Sequence, residues 1–203
     1  MSVTSELARL GAATVYEASG RRGLVDVEFK QLVPGSRACG PARIARCGQD
    51  DNLMVHAVMA SLQPGEVLVL TMPEPAPVAL LGDLLATQAQ VRGAAAVLVD
   101  AAVRDSEELA SMDVPVWARW IRSRGAGKDI PGELDVPVVV GGCEIRPGDL
   151  VVLDADGVTV VEAERAEVVL EASLAREAKE ADKRAKLQAG ALSYTLDGLD
   201  ARV

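Results

Sequence analysis

The chain has 203 residues, 49% of them apolar but only 2% aromatic, and a formal net charge of −9 at pH 7. That length buries the core of one domain, with Val, Leu and Ala filling it. The negative charge and the scarcity of aromatic stacking platforms exclude a nucleic-acid binder.

No segment approaches the roughly 20 apolar residues of a membrane span, so no membrane partner is expected. The N-terminal MSVTSELARLGAATVYEASG has no basic start and no sustained apolar run, so no signal peptide is expected and a cytoplasmic location is. Cys39, Cys47 and Cys143 lack CxxC spacing, which fits reduced thiols better than a zinc site or a disulfide frame.

In chain order, a first helix is predicted from about Thr4 to Ala18, broken by Gly20 and Gly23. Strand-like runs follow around Phe29 to Val33 and Ala42 to Cys47. Asn52 to Leu62 reads as a helix, and QPGEVLVL turns through Pro64–Gly65 into a strand. RPGDLVVL, from Arg146 to Leu153, repeats that turn-and-strand device. Between them a helix is predicted from Gly82–Asp83 to Gly93, then a strand over Ala95 to Val99, then a helix from Asp105. DADGVTVV turns at Asp156–Gly157 into a last strand. Strands and helices alternating at these lengths indicate an α/β fold. From about Ala163 to Gln188 the composition shifts to Glu, Ala, Arg and Lys before Gly190. This long charged helix has too few large apolar residues for a wide buried face, and reads as a surface helix or an arm on a neighbouring subunit.

His56 is the one histidine, which excludes a multi-histidine metal site. In DNLMVHAVMA it reads as packed or at a helix edge. No GxGxxG or Walker pattern follows a strand, so nucleotide cofactors have no support. The carboxylates, arginines and lysines that remain suit a hard cation such as Mg²⁺ or Mn²⁺.

Two segments carry candidate chemistry. In GDLL, Asp83 reads as an N-cap, while the N–H groups of Leu84 and Leu85 open a helix and are free to bind a small carboxylate. In VRDSEEL, Asp105 with Glu108 three residues later fits a capping box. Arg104 is harder to assign to structure alone, because it sits where an apolar strand ends, the edge at which α/β sheets gather ligands. An arginine there holds an anion or stabilises a developing oxyanion. Lys128, in the glycine-rich RGAGKDIPGE, reads as a Schiff-base nucleophile, a carboxylate binder or a solvated loop residue.

Taken together, TVYEASGRRG (14–23), GDLLAT (82–87), VDAAVRDSEEL (99–109), GKDIPGELDVPV (127–138) and RPGDLVVLDADGV (146–158) resemble the RraA-like family. Within it they resemble the class II 4-hydroxy-4-methyl-2-oxoglutarate aldolases, also called HMG/CHA aldolases. GDLLAT with VRD at this separation is the specific signature. The resemblance implies a swivelling β/β/α domain over residues 1–162 and a C-terminal helical arm and tail over 163–203, assembled as a homotrimer or homohexamer. It also implies a lyase that needs Mg²⁺, Mn²⁺ or another divalent metal. Such an enzyme cleaves 4-hydroxy-4-methyl-2-oxoglutarate or 4-carboxy-4-hydroxy-2-oxoadipate, products of aromatic breakdown, to pyruvate and an oxo acid, and decarboxylates oxaloacetate.

By the same resemblance Asp105 binds the metal and Arg104 contacts the pyruvyl keto oxygen and its enolate. Gly82 and the N–H groups of Leu84 and Leu85 form the carboxylate cradle, and Asp83 holds a water on the metal. Lys128 and Glu17 lie near the site. Glu180, with Glu177 as competitor, reaches in from the adjacent subunit and helps Asp83 order the base for the C4 hydroxyl. Two positions depart from the pattern. Ala101 replaces a glycine and is expected to crowd a tight turn, and Tyr16 replaces a histidine. Three other readings remain: a non-catalytic inhibitor of ribonuclease E, a class I aldolase using Lys128, and a menaquinone methyltransferase, for which the sequence has no glycine-rich cofactor loop.

Overall fold

The computed structural model describes residues 2–202. In chain order, helices α1 (Val3–Leu10) and α2 (Ala12–Ala18) precede strands β1 (Lys30–Gln31) and β2 (Ala38–Arg46) and helix α3 (Leu53–Val58). Strands β3 (Val67–Thr71) and β4 (Ala79–Leu81), helix α4 (Asp83–Val91), strand β5 (Ala96–Val103) and helix α5 (Ser106–Ala110) form the middle. Then come strands β6 (Val116–Ile121), β7 (Glu133–Leu134), β8 (Val138–Val140), β9 (Cys143–Ile145), β10 (Leu150–Asp154) and β11 (Gly157–Val161). Helices α6 (Ala166–Gln188) and α7 (Ser193–Leu196) follow, and a 3-10 turn over Leu199–Arg202 ends the described residues.

The apolar runs become the parallel centre of one sheet, because a strand buried on both faces has no need of polar alternation. Every residue of β3 and β5 is buried. The order is β1-β6-β5-β3-β2-β10-β11, with β4 added to β5 and β7 to β2. Strands β2, β3, β5 and β6 run parallel, as does β4 beside β5. The first half of β2 pairs antiparallel with β10 and its second half parallel with β3. The two proline–glycine turns noted in the sequence thus feed β3 and β10, the strands on either side of β2. Helices α3, α4 and α5 cover one face through Val55, Val58, Leu85, Ala89 and Leu109. The β8–β9 hairpin covers the other through Val138, Val140 and Ile145, against Val69, Leu98 and Trp117. A third cluster packs Leu7, Leu10 and Val15 with Val152, Val161 and Val169. This is the α/β fold with a long C-terminal helix that the sequence indicates.

The structure corrects several local expectations. The single helix from Thr4 to Ala18 is two helices, because Gly11 takes φ 84°, a left-handed value that glycine adopts most freely. A Cβ at Gly11 would also lie 2.6 Å from Asp154 Oδ2, which accepts the Ala12 N–H at 2.9 Å. The helix expected from Asn52 to Leu62 spans only Leu53–Val58. The strand expected over Ala95 to Val99 continues to Val103, with a register irregularity against β6 between Val99 and Ala102. Ala101 is therefore a fully buried strand residue without positive φ; there is no tight turn for its methyl group to crowd. Along α6 only Val169 and Ser173 are buried, in keeping with its lack of a wide apolar face. The Cys39 and Cys47 thiols are buried and pushed up to about 12 by that burial, which leaves them unreactive.

Strand β5 extends past a carboxylate because Asp100, 2% exposed, pairs with Arg119 on the neighbouring strand β6. Burial raises the Asp100 carboxyl and the guanidinium opposes the rise. Removing one partner of such a pair leaves an uncompensated buried charge. Arg119→Met is therefore expected to lose about 3–5 kcal/mol of unfolding free energy, and Asp100→Leu/Arg119→Met to regain most of it. Urea denaturation of both variants tests this; equal losses would refute it.

Candidate active site

The parallel strands end on one side of the sheet, and the candidate residues follow those ends. The ladder continues one step past β5, where the Arg104 N–H donates to Leu81 O at 3.0 Å and the Arg122 N–H to Val103 O at 2.9 Å. Asp105 then takes φ 55° and ψ 45°, a left-handed conformation that aspartate tolerates better than most residues. It occupies the N-cap position of α5, yet its side chain caps nothing there. Instead Asp105 Oδ2 accepts the Asp83 N–H at 3.2 Å. The capping box expected of Asp105 and Glu108 is thus absent, because the left-handed turn swings the carboxylate away from α5 and onto the entrance of α4.

At that entrance Gly82 holds the N-cap position and Asp83 is the first helical residue. Asp83 is therefore not the expected N-cap; its side chain lines the pocket. The first intrahelical donor is Ala86, to Gly82 O at 3.0 Å. The N–H groups of Leu84 and Leu85 consequently have no intrahelical acceptor, and the helix dipole adds partial positive charge. A Cβ on Gly82 would collide with the Asp105 carboxylate and lie 3.1 Å from Arg104 Nε. Arg104 Nε is 3.4 Å from Asp105 Oδ2.

These groups border a pocket of about 160 Å³ that also includes Asn52, His56 and Lys128 in its walls. Arg104 is shared with an adjoining shallow depression that Asp105 lines. Gly82, Asp83, Leu84, Leu85, Arg104 and Lys128 thus meet at one cavity, with Asp105 just beyond the arginine. His56 is exposed at the end of α3, on the helix edge, as its sequence context indicates.

Lys128 is exposed, but its loop is fastened from below by a residue that sequence reasoning misses. Asp51 Oδ2 accepts the N–H groups of Asp129 at 2.6 Å and Ile130 at 3.0 Å. Its Oδ1 accepts the Leu53 N–H at 2.8 Å. The neighbouring Asn52 N–H donates to Gly127 O at 2.9 Å, and the Gly127 N–H to Asp50 O at 2.9 Å. Asp51 is 1% exposed. Burial pushes its carboxyl up, but the three backbone donors and the Lys128 charge outweigh it and hold the group below its ordinary range. An aspartate before a helix is a legible cap signal; its second engagement, nearly 80 residues away in sequence, is not.

Glu17 and Glu180 do not line this pocket. They meet around Arg176 on the α2–α6 face, at 3.8 Å and 2.8 Å, and Glu17 also pairs with Arg21. Glu177 instead takes the two terminal Arg9 nitrogens, at 2.6 Å and 2.9 Å. Among the described residues no group of three or more His, Cys, Asp or Glu side chains can hold a metal. The residues do fit a hard cation of low protein coordination. Asp105 has a partly exposed carboxylate, 33% accessible, beside Asp83, and Mg²⁺ commonly uses one or two carboxylates and otherwise keeps water.

Residues 12–160 match the model of the RraA-like family, described as Aldolase/RraA. The chain is 35% identical over 161 residues, 79% of its length and 75% of the relative's, to the Halalkalibacterium halodurans protein named "Putative 4-hydroxy-4-methyl-2-oxoglutarate aldolase". Among solved structures it is similar to Streptomyces coelicolor RraAS2, described as an unusual member of the RNase ES inhibitor RraA protein family. The TM-score is 0.79 at 31% identity, over 90% of this chain and 95% of that one. It is also similar to the Thermus thermophilis RNA-processing inhibitor RraA, with a TM-score of 0.62 at 34% identity, over 68% and 82% of the two chains. No helix among the described residues is long and apolar enough to cross a membrane.

A carboxyl held low in the folded state contributes stability above its ordinary pKa, and that contribution is lost as pH falls through the folded value. Asp51→Asn is therefore expected to melt below the wild type at pH 7, with the gap closing as pH falls below the ordinary carboxylate range. Melting curves across that range test it; a constant gap would remove the carboxylate charge from the account.

Proposed function

The chain belongs to the RraA-like family, and from that premise we propose that it is a divalent-metal-dependent lyase. Its substrate is 4-hydroxy-4-methyl-2-oxoglutarate or 4-carboxy-4-hydroxy-2-oxoadipate, cleaved to pyruvate and a second oxo acid, with oxaloacetate decarboxylation as a companion activity. The observation that carries this reading is the turn at Asp105. It sets a carboxylate and a guanidinium side by side over two unpaired N–H groups, which suits an anion, an oxyanion and a cation held together. The named relative supports the same chemistry.

In this reading the substrate C1 carboxylate accepts from the Leu84 and Leu85 N–H groups, and the C2 keto oxygen faces Arg104. A water held by Asp83 takes the C4 hydroxyl proton as it passes one of its own to the Asp83 carboxylate. The C3–C4 bond then breaks, a carbonyl forms at C4 of the departing oxo acid, and the electron pair moves onto the C2 oxygen. Arg104 stabilises that charge until C3 is protonated and pyruvate leaves. Oxaloacetate reaches the same enolate by losing CO₂. A divalent cation on Asp105 supplies Lewis-acid polarisation of the substrate oxygens when bound. The exposed Lys128 ammonium serves the distal carboxylate. Glu180, with Glu177 as alternative, reaches the site from a second copy of the chain in a trimer or hexamer; its surface position beside Arg176 leaves it available for that role.

Pyruvate release from 4-hydroxy-4-methyl-2-oxoglutarate, coupled to lactate dehydrogenase, is the first assay. Activity should vanish with excess EDTA and return with Mg²⁺, and Arg104→Ala should lower kcat by about 10²–10³. Full activity in EDTA, or in Asp105→Asn, would sink the metal lyase. Gly82→Ala is expected to fold, since the colliding atom ends a side chain, but to bind Mg²⁺ at least tenfold more weakly in calorimetry; unchanged affinity would separate Asp105 from the metal. A second reading, inhibition of ribonuclease E, is favoured by the similarity to RraAS2 and the Thermus thermophilis inhibitor. Tight binding to that nuclease without lyase activity would select it.

A further inference from the structure

Asn52 is nine-tenths buried and lines the pocket, yet no role above uses its side chain. Its backbone N–H donates to Gly127 O, beside Lys128. Its Nδ2 donates to Leu80 O at 3.1 Å, two residues before Gly82 and the α4 entrance. That donation fixes which way the amide faces. Oδ1 is then left as a buried acceptor with no hydrogen-bond partner among the described residues. Buried acceptors are nearly always satisfied, and an orphan on a residue that lines a pocket marks a place where a ligand donor completes the structure.

The position specifies the donor. Asn52 is tied on one side to the strand leading into the N–H groups of Leu84 and Leu85, and on the other to the loop carrying Lys128. Those are the two anion-binding ends of the cavity. A substrate with a carboxylate at each end therefore presents the middle of its carbon chain to Asn52. Carboxylates and keto oxygens only accept hydrogen bonds; a hydroxyl is the one group of the proposed substrate that donates.

We infer that Asn52 Oδ1 accepts the hydrogen bond of the C4 hydroxyl as the substrate binds, before that O–H turns to the water held by Asp83, and makes the pocket selective for 4-hydroxy-2-oxo diacids over oxo diacids without that hydroxyl. This rests on the lyase reading above and names what the same site selects. A pocket with a buried acceptor discriminates against a ligand that leaves it unpaired. Oxaloacetate has no hydroxyl donor and gains nothing from Oδ1, so the two reactions separate the effect.

The test compares kcat/KM for 4-hydroxy-4-methyl-2-oxoglutarate cleavage and for oxaloacetate decarboxylation in wild type and Asn52→Ala. Any general loss from truncation falls on both. The ratio of the two is expected to drop about tenfold or more, with the excess loss confined to the hydroxylated substrate. An unchanged ratio would overturn the inference and make Asn52 a scaffold residue only. Should Asn52→Ala not fold, the wild type decides with 4-methyl-2-oxoglutarate, which lacks only the hydroxyl. A Ki at least about tenfold above the KM of the hydroxylated compound supports the inference, and equal constants overturn it. Wild type that releases pyruvate from neither substrate fails the lyase reading instead, a result distinct from an active enzyme with an unchanged ratio.

Discussion

The hydrogen bond from the Asp83 N–H to Asp105 Oδ2 joins two helix entrances that β4 and β5 bring to the same edge of the sheet, and the pocket takes its form from it. A left-handed aspartate at the start of α5 forgoes the local cap such residues usually supply. The carboxylate crosses to α4, where Gly82 leaves room for it. Arg104, one residue earlier, emerges on the same side because the ladder holds its N–H to Leu81. Charge, counter-charge and free backbone donors are concentrated in a small volume, an arrangement that disfavours an empty site and favours an anionic ligand.

The scaffold beneath the pocket is secured by buried carboxylates of two kinds. Asp100 is answered by a guanidinium on the adjacent strand, deep in the parallel ladder. Asp51 is answered mainly by backbone donors from two chain segments. The first lets a strand stay extended through a polar position until it reaches the site. The second fastens a glycine-rich loop that has little apolar anchorage of its own. Regular structure and loop are thereby held to the same tolerance, as a binding constellation requires.

Much of this was legible beforehand because it is local. Continuous apolar runs mark the inner strands, Gly93 stops α4 close to where it should, and GDLL and VRD advertise a helix entrance and a strand exit. The illegible parts depend on tertiary partners. Nothing near Asp105 says that its carboxylate deserts its own helix, since the reason is Gly82 on another element. Gly11 looks like any residue of an amphipathic helix until Asp154 is placed beside it. Asp51 and Asn52 read as ordinary helix-start residues, and only the fold brings them to Gly127 and Leu80. Ala101 shows the reverse case: a substitution that looked costly against a family pattern lies buried within a strand, without positive φ.

The carboxylate cradle proposed at the start of α4 is made of main chain, and the Leu84 side chain beside it is 78% exposed. In that reading, recognition of one end of a ligand is written in the path of the backbone and is shielded from most single-base changes at that codon. Side chains around the rest of the rim can drift, and with them the shape of the acid admitted, while the grip on a carboxylate is inherited intact. A scaffold of this kind can diversify in what it accepts without first losing the ability to hold anything. Its fragile point in that history is Gly82, whose contribution is the absence of a side chain.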